Sequence, residues 1–478
     1  MRKTEYDAIV IGSGPNGFAA AITLQQQGLS VLLIEGKKDI GGGMRTKALT
    51  LPGFIHDVCS AVHPMAVLSP FLNSLSLEKF GLELIQPKYA AAHPFDDGTA
   101  GILHGSVEDT ANGLGEDKET YLKFMGPVVR DLPKLLPDVL GPFPIPKYPF
   151  ALAEFGLKAL PSATWIAKRF KTKQARGLWG GMAAHAIQPL ENLTTAAIGL
   201  MLMAGGHVAG WPIPKGGSQS LANALAAVFV GLGGEIQTDF MVKSIDQLPS
   251  SKVVLFDTTP KQLVAIAGNK LSSSYINKLS KYRYGMGAFK IDWALSEPIP
   301  FTAEACRSAG TVHLGNTIEE IAATEKSTSQ GKQSQNPYVL LSQPSIFDKT
   351  RAPEGKHTVW AYCHVPNGST EDMTQAIENQ VERFAPGFKD LIIGRSTMNT
   401  AQIEAYNPNY IGGDINGGTQ DIYQLYTRPV LSASPYRTSA DGIYICSSST
   451  PPGGGVHGMS GYHAAKQALS DVFKIKLK

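Results

Sequence analysis

The chain is short of cysteine, short of charge and free of long apolar runs, and each shortage removes a class of protein. Its four cysteines, Cys59, Cys306, Cys363 and Cys446, stand far apart with no CxxC pair. That scatter excludes a disulfide-stapled secreted fold and a dithiol redox enzyme, and it points to a reduced, cytoplasmic chain. Charged residues make up 17% of the sequence and the net charge is +3, which leaves no electrostatic footprint for nucleic acid. The eleven histidines show no metal-ligand spacing, so no metal is expected. No stretch approaches the roughly 20 apolar residues that a spanning helix needs. The nearest, Thr194 to Trp211, is interrupted by glycines and His207; it reads as a buried helix or as a surface dipping into a membrane. The N-terminal "MRKTEYD" leads straight into a strand pattern, with no signal-peptide pattern.

What is present begins at "YDAIVIGSGPNGFAAAITL". Ala8 to Ile11 is a β-branched apolar run suited to a strand buried on both faces. Gly12 permits the turn out of it, Gly14 permits close approach of a phosphate, and Gly17 lets the next helix pack on the strand. Pro15 and Asn16 open that helix, which runs to about Gln27 with Gly28 as its stop. Its N-terminus offers free N–H groups to an anion. "SVLLIEG" follows as a second strand ending at Glu35 and Gly36, and Glu35 stands 23 residues after Gly12. A carboxylate there accepts ribose hydroxyls and repels a 2′-phosphate, so the ligand is FAD or NAD.

At 478 residues two domains are expected. From about 120 to 205 the sequence turns proline-rich and apolar, with the texture of a helical lid or substrate module. α/β character returns with a helix at 218–230, strands at 235–238 and 241–245, and "KVVLFDTTP" as a buried strand ending at Asp257. The polar stretch 324–336 reads as an exposed loop. The sequence closes with a strand, "SSSTPPGGGVHGMSG" and a helix, a second turn able to face an anion. No second GxGxxG follows a strand, since "VGLGGE" sits between a helix and a strand. One large cofactor gripped from both ends of the chain is the economical reading. The expected fold is α/β: a Rossmann-type FAD-binding domain from 1–95, 210–284 and 425–478, and a discontinuous α+β substrate domain with a helical lid from 96–209 and 285–424.

Three segments carry a resemblance: "YDAIVIGSGPNGFAAAITL…VLLIEGKKDIGGGMRT", "WPIPKGGSQSLANAL" and "RPVLSASPYRTSADGIYICSSSTPPGGGVHGMSGYHAAKQAL". Together the chain resembles the phytoene desaturase-like branch of the FAD-dependent oxidoreductases, more distantly the flavin amine oxidases. Within that branch it is similar to the subgroup called pyridine nucleotide-disulfide oxidoreductase domain-containing protein two. The resemblance implies a glutathione reductase/amine oxidase-like fold and FAD. It implies that Gly12, Gly14 and Gly17 cradle the pyrophosphate and that Glu35 holds the adenosine ribose. Gly42, Gly43 and Arg45 would lie by the pyrophosphate or flavin, and Val242 by the adenine. Gly454, Gly455, Val456, His457 and Met459 would surround the flavin ring. The chain departs from the desaturase pattern at Gly43, where many relatives have arginine, and at Pro451-Pro452-Gly453, where desaturases carry His-Pro-Gly.

The expected activity is that of an FAD-dependent dehydrogenase, desaturase or saturase. It would move a hydride between flavin N5 and a C–H bond of an apolar, isoprenoid or polyene, substrate. His457 is the candidate for proton transfer or substrate orientation, and Lys215 for the flavin–substrate boundary. His56, Asp57 and His63 are further residues within reach, and the glycines of 410–418 would let a flat substrate approach. Oxygen, a quinone or a nicotinamide would reoxidise the flavin, and peripheral contact with the inner face of a membrane is expected of such a substrate class. Two alternatives stand beside this reading: an amine oxidase-like enzyme, and a non-catalytic FAD-binding partner at a membrane.

Overall fold

The computed structural model describes residues 5–142 and 145–477. Residues 1–4 of the N-terminal segment, and 143 and 144 of the proline-rich stretch, lie outside the described residues. In chain order the strands are β1 (Glu5–Ile11), β2 (Val31–Ile34), β3 (Thr46–Ala48), β4 (Ile55–Asp57), β5 (Leu84–Ile85), β6 (Tyr89–Pro94), β7 (Ala100–Leu103) and β8 (Ile213–Pro214). They continue with β9 (Glu235–Gln237), β10 (Ser250–Phe256), β11 (Gly287–Leu295), β12 (Ala309–Leu314), β13 (Val339–Ser342), β14 (His357–Val365), β15 (Ile392–Met398) and β16 (Ile443–Ile445).

Five strands form a parallel sheet in the order β16-β10-β1-β2-β9. Its register aligns the strand ends: Ile11 pairs with Ile34 and Phe256, and Phe256 with Ile445. The next residues, Gly12, Glu35, Asp257 and Cys446, therefore stand in one row at the carboxyl edge, where open α/β sheets bind ligands. Helix α1 (Pro15–Gln25) starts at that edge with Pro15 at its first position, where the missing N–H costs nothing. It is almost entirely buried and rich in alanine, so it packs closely on both the sheet and the last helix, Met459–Ala468. A Cβ on Gly17 would come 1.9 Å from the Gly12 carbonyl oxygen, and one on Gly461 would come 1.8 Å from that of Asn16. Strand, first helix and last helix thus meet through bare backbone.

The second sheet has seven strands in the order β15-β11-β14-β13-β12-β6-β7. β11 is buried along its whole length, yet its sequence alternates. Phe289, Ile291, Trp293 and Leu295 join Val359, Ala361 and Cys363 of β14 in one apolar core. The opposite face carries Lys290 and Asp292, paired in register with Tyr362 and Trp360. The period of two has sorted apolar from polar side chains on a strand that shows neither face to water. β6, inside the 1–95 segment, runs in this second sheet.

A helical module that includes Lys118–Val139, Pro149–Ala159, Lys173–Ala183 and Thr195–Ala209 packs on the seven-stranded sheet through Lys173–Ala183, which meets β6, β7 and β12. The helix Thr195–Ala209 is a buried packing element with Leu200, Met203 and Ala204 in the core, so the membrane-dipping reading of that segment is corrected. Two further expectations differ. Residues 241–245 form no strand, because Phe240 turns back to bond Glu35 and Val242 sinks into the core. The stretch 324–336 is helix as far as Ser329, since Ile318, Ile321 and Ala322 anchor Ile318–Ser329 to the core.

Candidate active site

A cavity of about 470 Å³ lies along the carboxyl edge of the parallel sheet. Its wall includes Gly12, Gly14, Pro15 and Asn16 from the first turn, Glu35 and Gly36 from the end of β2, and Gly42, Gly43 and Arg45. Val242 closes one end and Ser447 to Ser449 the other. Gly12 has φ +101°, a conformation L side chains rarely adopt, and a Cβ there would also meet the Asp257 carbonyl at 2.9 Å. Asn16 Oδ1 and Thr258 Oγ1 are buried on this wall with no hydrogen-bond partner among the described residues. Backbone amides at a helix start, an acid at the next strand end and unpartnered polar atoms between them are the donor set for a dinucleotide, so the residues present fit FAD.

Glu35 is nearly buried, and its chemistry is fixed by its neighbours. Oε2 accepts from Ser13 N at 3.1 Å and Ser13 Oγ at 2.5 Å, and Oε1 accepts from Lys37 N at 2.9 Å. Arg45 Nη2 lies 3.0 Å from Oε1, while its guanidinium sits over the Tyr406 ring at 5.4 Å. Arg45 is thus the counter-ion of Glu35 as well as part of the cavity wall.

From the sequence Asp257 is expected only to end a buried strand, with no role in the site. It stands at the end of β10, and its Oδ2 accepts the Gly17 N–H at 2.9 Å. A Cβ on Gly14 would come 2.6 Å from the same oxygen. The face of Gly14 read as open to a phosphate already meets a carboxylate. Burial first, then the nearby charge of Glu35, pushes Asp257 up to about 7, against the lowering pull of the Gly17 and Gly14 amides.

A second cavity of about 420 Å³ adjoins the first, sharing Pro15, Gly43, Tyr410, Ile415 and Ser448. Gly454, Gly455, Val456 and His457 line it near the junction; Phe155, Met201 and Trp211 come from the helical module, and Lys290 and Trp360 from the seven-stranded sheet. His457 is fully buried and its Nδ1 accepts the Met459 N–H at 3.0 Å, which leaves the proton on Nε2. Burial holds its pKa down at about 4, so the ring is a neutral donor at neutral pH. His63 carries its proton on the same ring nitrogen, but there it is spent on a partner. Ser218 Oγ donates to the Ser60 carbonyl at 2.6 Å, so His63 Nε2–H donates to Ser218 Oγ at 2.7 Å and Nδ1 is bare.

A chain of charges ties this roof to the cofactor side. Lys290 pairs with Asp292, and Asp292 Oδ1 lies 3.6 Å from His56 Nδ1. The neighbouring Asp57 holds Arg351 and accepts from Ser218 N and Thr46 Oγ1, each at 2.8 Å. Burial, then the charges of Lys290 and Arg351, lowers His56 to about 3, and burial raises Asp292 to about 6.

Most of the expected site residues are brought to the two cavities; His56 and Asp57 line neither, and three others differ. Lys215 is a surface residue: its ammonium pairs with Glu83 at 2.7 Å and it lines neither cavity, because the "PIPKGG" turn points its side chain outward. Met459 starts the last helix with its side chain in the core, and Gly17 touches Asp257 beneath the turn. Asp257, Lys290, Tyr410 and Arg351, the partner of Asp57, were missed. A lysine and an aspartate two apart in the otherwise apolar "GAFKIDWAL" were a legible signal for the roof.

Comparison with known proteins agrees with this geometry. The chain is 26% identical to pyridine nucleotide-disulfide oxidoreductase domain-containing protein 2 of Rattus norvegicus, over 98% of this chain and 94% of that protein. It is 22% identical to the lycopene-forming phytoene desaturase of Paracoccus sp., over 97% of each. The fold is similar to that of an oxidoreductase from Methanosarcina mazei, with a TM-score of 0.64 at 14% identity, covering 95% of this chain and 98% of that one. The family model described as flavin containing amine oxidoreductase matches residues 17–469. The chain belongs to that family and is an FAD-dependent oxidoreductase.

Proposed function

We propose that the enzyme moves a hydride between FAD and a C–H bond of an apolar substrate of isoprenoid or polyene type, as a desaturase or, in reverse, a saturase. The observation that carries this reading is the lining of the second cavity. Among its described residues there is no Asp or Glu, and its one lysine, Lys290, is paired with Asp292. A cationic amine would find no counter-charge there, whereas an alkyl or polyene chain would meet side chains such as Val58, Met65, Leu140, Phe155 and Met201. The phytoene desaturase among the relatives is named for this kind of reaction.

FAD, when bound, supplies the hydride acceptor. The chain supplies the rest. Trp211, Phe155 and Leu202 exclude water from the cavity. His457 Nε2–H offers a fixed donor, and Lys290 places a positive charge on the roof. Oxygen, a quinone or a nicotinamide would reoxidise the bound flavin.

The substrate's source is a bilayer, and the lid is the surface that meets it. Around the helix Pro149–Ala159, Ile145 is 99% exposed, Phe150 90% and Leu157 76%. Residues 145–171 carry five basic side chains and one acidic, in a chain whose net charge is +3. Trp165 and Tyr148 stand there with Arg169 and Lys147 over their rings, the pairing of amphipathic aromatics and cations that suits an anionic lipid interface. Phe155 of the same helix lines the second cavity.

Anaerobic mixing tests the reaction. Bleaching of the oxidised flavin by an isoprenoid or polyene, and not by primary amines, is the expected result. Bleaching by amines alone overturns the substrate class, and bleaching by none of them favours the non-catalytic alternative.

A further inference from the structure

The cofactor cradle contains a resident acid. Asp257 lies within the loop formed by Gly12, Gly14 and Gly17, bonded through Oδ2 to the Gly17 N–H at the start of α1. It is held there firmly: its own N–H donates to the Ile11 carbonyl at 2.8 Å, and its carbonyl accepts from Asn409 Nδ2 at 3.3 Å. The row of strand ends fixes what faces it. From β2 comes Glu35, paired with Arg45, and from β16 comes the buried Cys446 thiol. From the first turn come the amides of Gly14 and Gly17. Among the described groups no cation is bonded to Asp257 itself, because Arg45 is spent on Glu35. A pyrophosphate seated on this turn would bring further negative charge against the carboxylate in a buried site, where such repulsion is weakly screened.

We propose that Asp257 is a direct ligand of the FAD pyrophosphate in its protonated form, donating its O–H to a phosphate oxygen, so that cofactor binding and proton uptake are one event. The proposal rests on the glycine-rich turn holding the pyrophosphate. Its chemistry is that of a carboxylic acid kept neutral beside an anion, with Oδ2 on the Gly17 amide and the other oxygen carrying the donated proton. The pKa near 7 in the free chain places the titration inside the accessible range, and the arriving pyrophosphate raises it further. The sign follows by linkage. Below neutrality the acid is already protonated, and affinity is independent of pH. Above it a proton must be taken up, and the affinity falls by up to about tenfold per pH unit.

The test uses the purified holoprotein. FAD dissociation is followed by the fluorescence of released flavin at about pH 6, 7, 8 and 9, with a pH-indicator dye reporting protons in weak buffer. The expected result is a Kd that is flat at acid pH and rises above neutrality, with a proton released alongside each FAD. Asp257→Asn should flatten the profile and bind more tightly than the parent at alkaline pH. Should that variant fail to fold, the dye signal on the parent decides alone. A flat parent profile with no proton release, or a variant that keeps the parent's slope, overturns the proposal. A chain that holds no flavin at any pH overturns the cofactor site and the linkage with it.

Discussion

At the scale of single residues, the site is built where side chains are missing. The 1.8 Å between a Cβ on Gly461 and the Asn16 carbonyl oxygen leaves no room for one methyl group, and the neighbour is backbone that cannot rotate aside. Gly461→Ala should therefore cost on the order of 1–3 kcal/mol and loosen FAD, read as a lower melting temperature and paler protein. Gly126, inside the helix Lys118–Val139, has nothing within 4 Å of its Cβ position. Gly126→Ala should instead stabilise, by about 0.5–1 kcal/mol, through helix propensity. Equal effects from the two would remove the close helix contact from the account. The sequence showed why Gly12 and Gly17 are glycine, since strand, turn and helix stood in order around them. It hid Asp257, because a carboxylate about 240 residues away looks like any strand end until the parallel register sets it beside the turn.

At the scale of elements, the seven-stranded sheet spends one face on its core and the other on the site. β6 and β12 bring His93 and His313 to the polar side, and His185 reaches His313 Nε2 at 2.9 Å and lines the second cavity. Burial holds His185 at about 3 and His93 at about 4, and burial with two neighbouring histidines holds His313 well below its ordinary value. All three are neutral when folded, whereas an unfolded chain protonates them near 6.5. Stability is therefore complete above about pH 6.5 and is lost as the pH falls toward about 4, by about 1.4 kcal/mol per pH unit for each histidine. Urea midpoints at about pH 7.5 and 5.5 should differ accordingly, and identical midpoints would contradict neutral burial of these rings. The alternation of Lys290 and Asp292 with apolar neighbours could be read in the sequence. Which face would meet the cavity could not, because β11 is buried on both sides and pattern alone does not say what covers it. The same limit misplaced 241–245, whose β-like composition is overruled by the contacts of Phe240 and Val242.

At the scale of the whole molecule, two cavities meet end to end and the lid stands over the apolar one. No helix among the described residues is long and apolar enough to cross a membrane, and the proposed lipid contact is through exposed side chains around the helix Pro149–Ala159. The protein should sediment with vesicles rich in anionic lipid, less with neutral ones, and detach as salt screens the basic residues. Replacing Phe150 and Leu157 together by Ser should weaken binding without loss of flavin colour. Vesicle binding unchanged by that double substitution would move the contact elsewhere. Long-range architecture was legible because the two glycine-rich turns lie at opposite ends of the sequence and one cofactor explains both. The lid was not, since exposure at Phe150 depends on neighbours that no local pattern names.

The meeting of Asn16 with Gly461 has a consequence for biosynthesis. A ribosome releases the strand and helix around Asn16 well before the helix Met459–Ala468 that they clasp. Until that helix emerges the nascent polypeptide has half a clasp, and flavin loading waits for it.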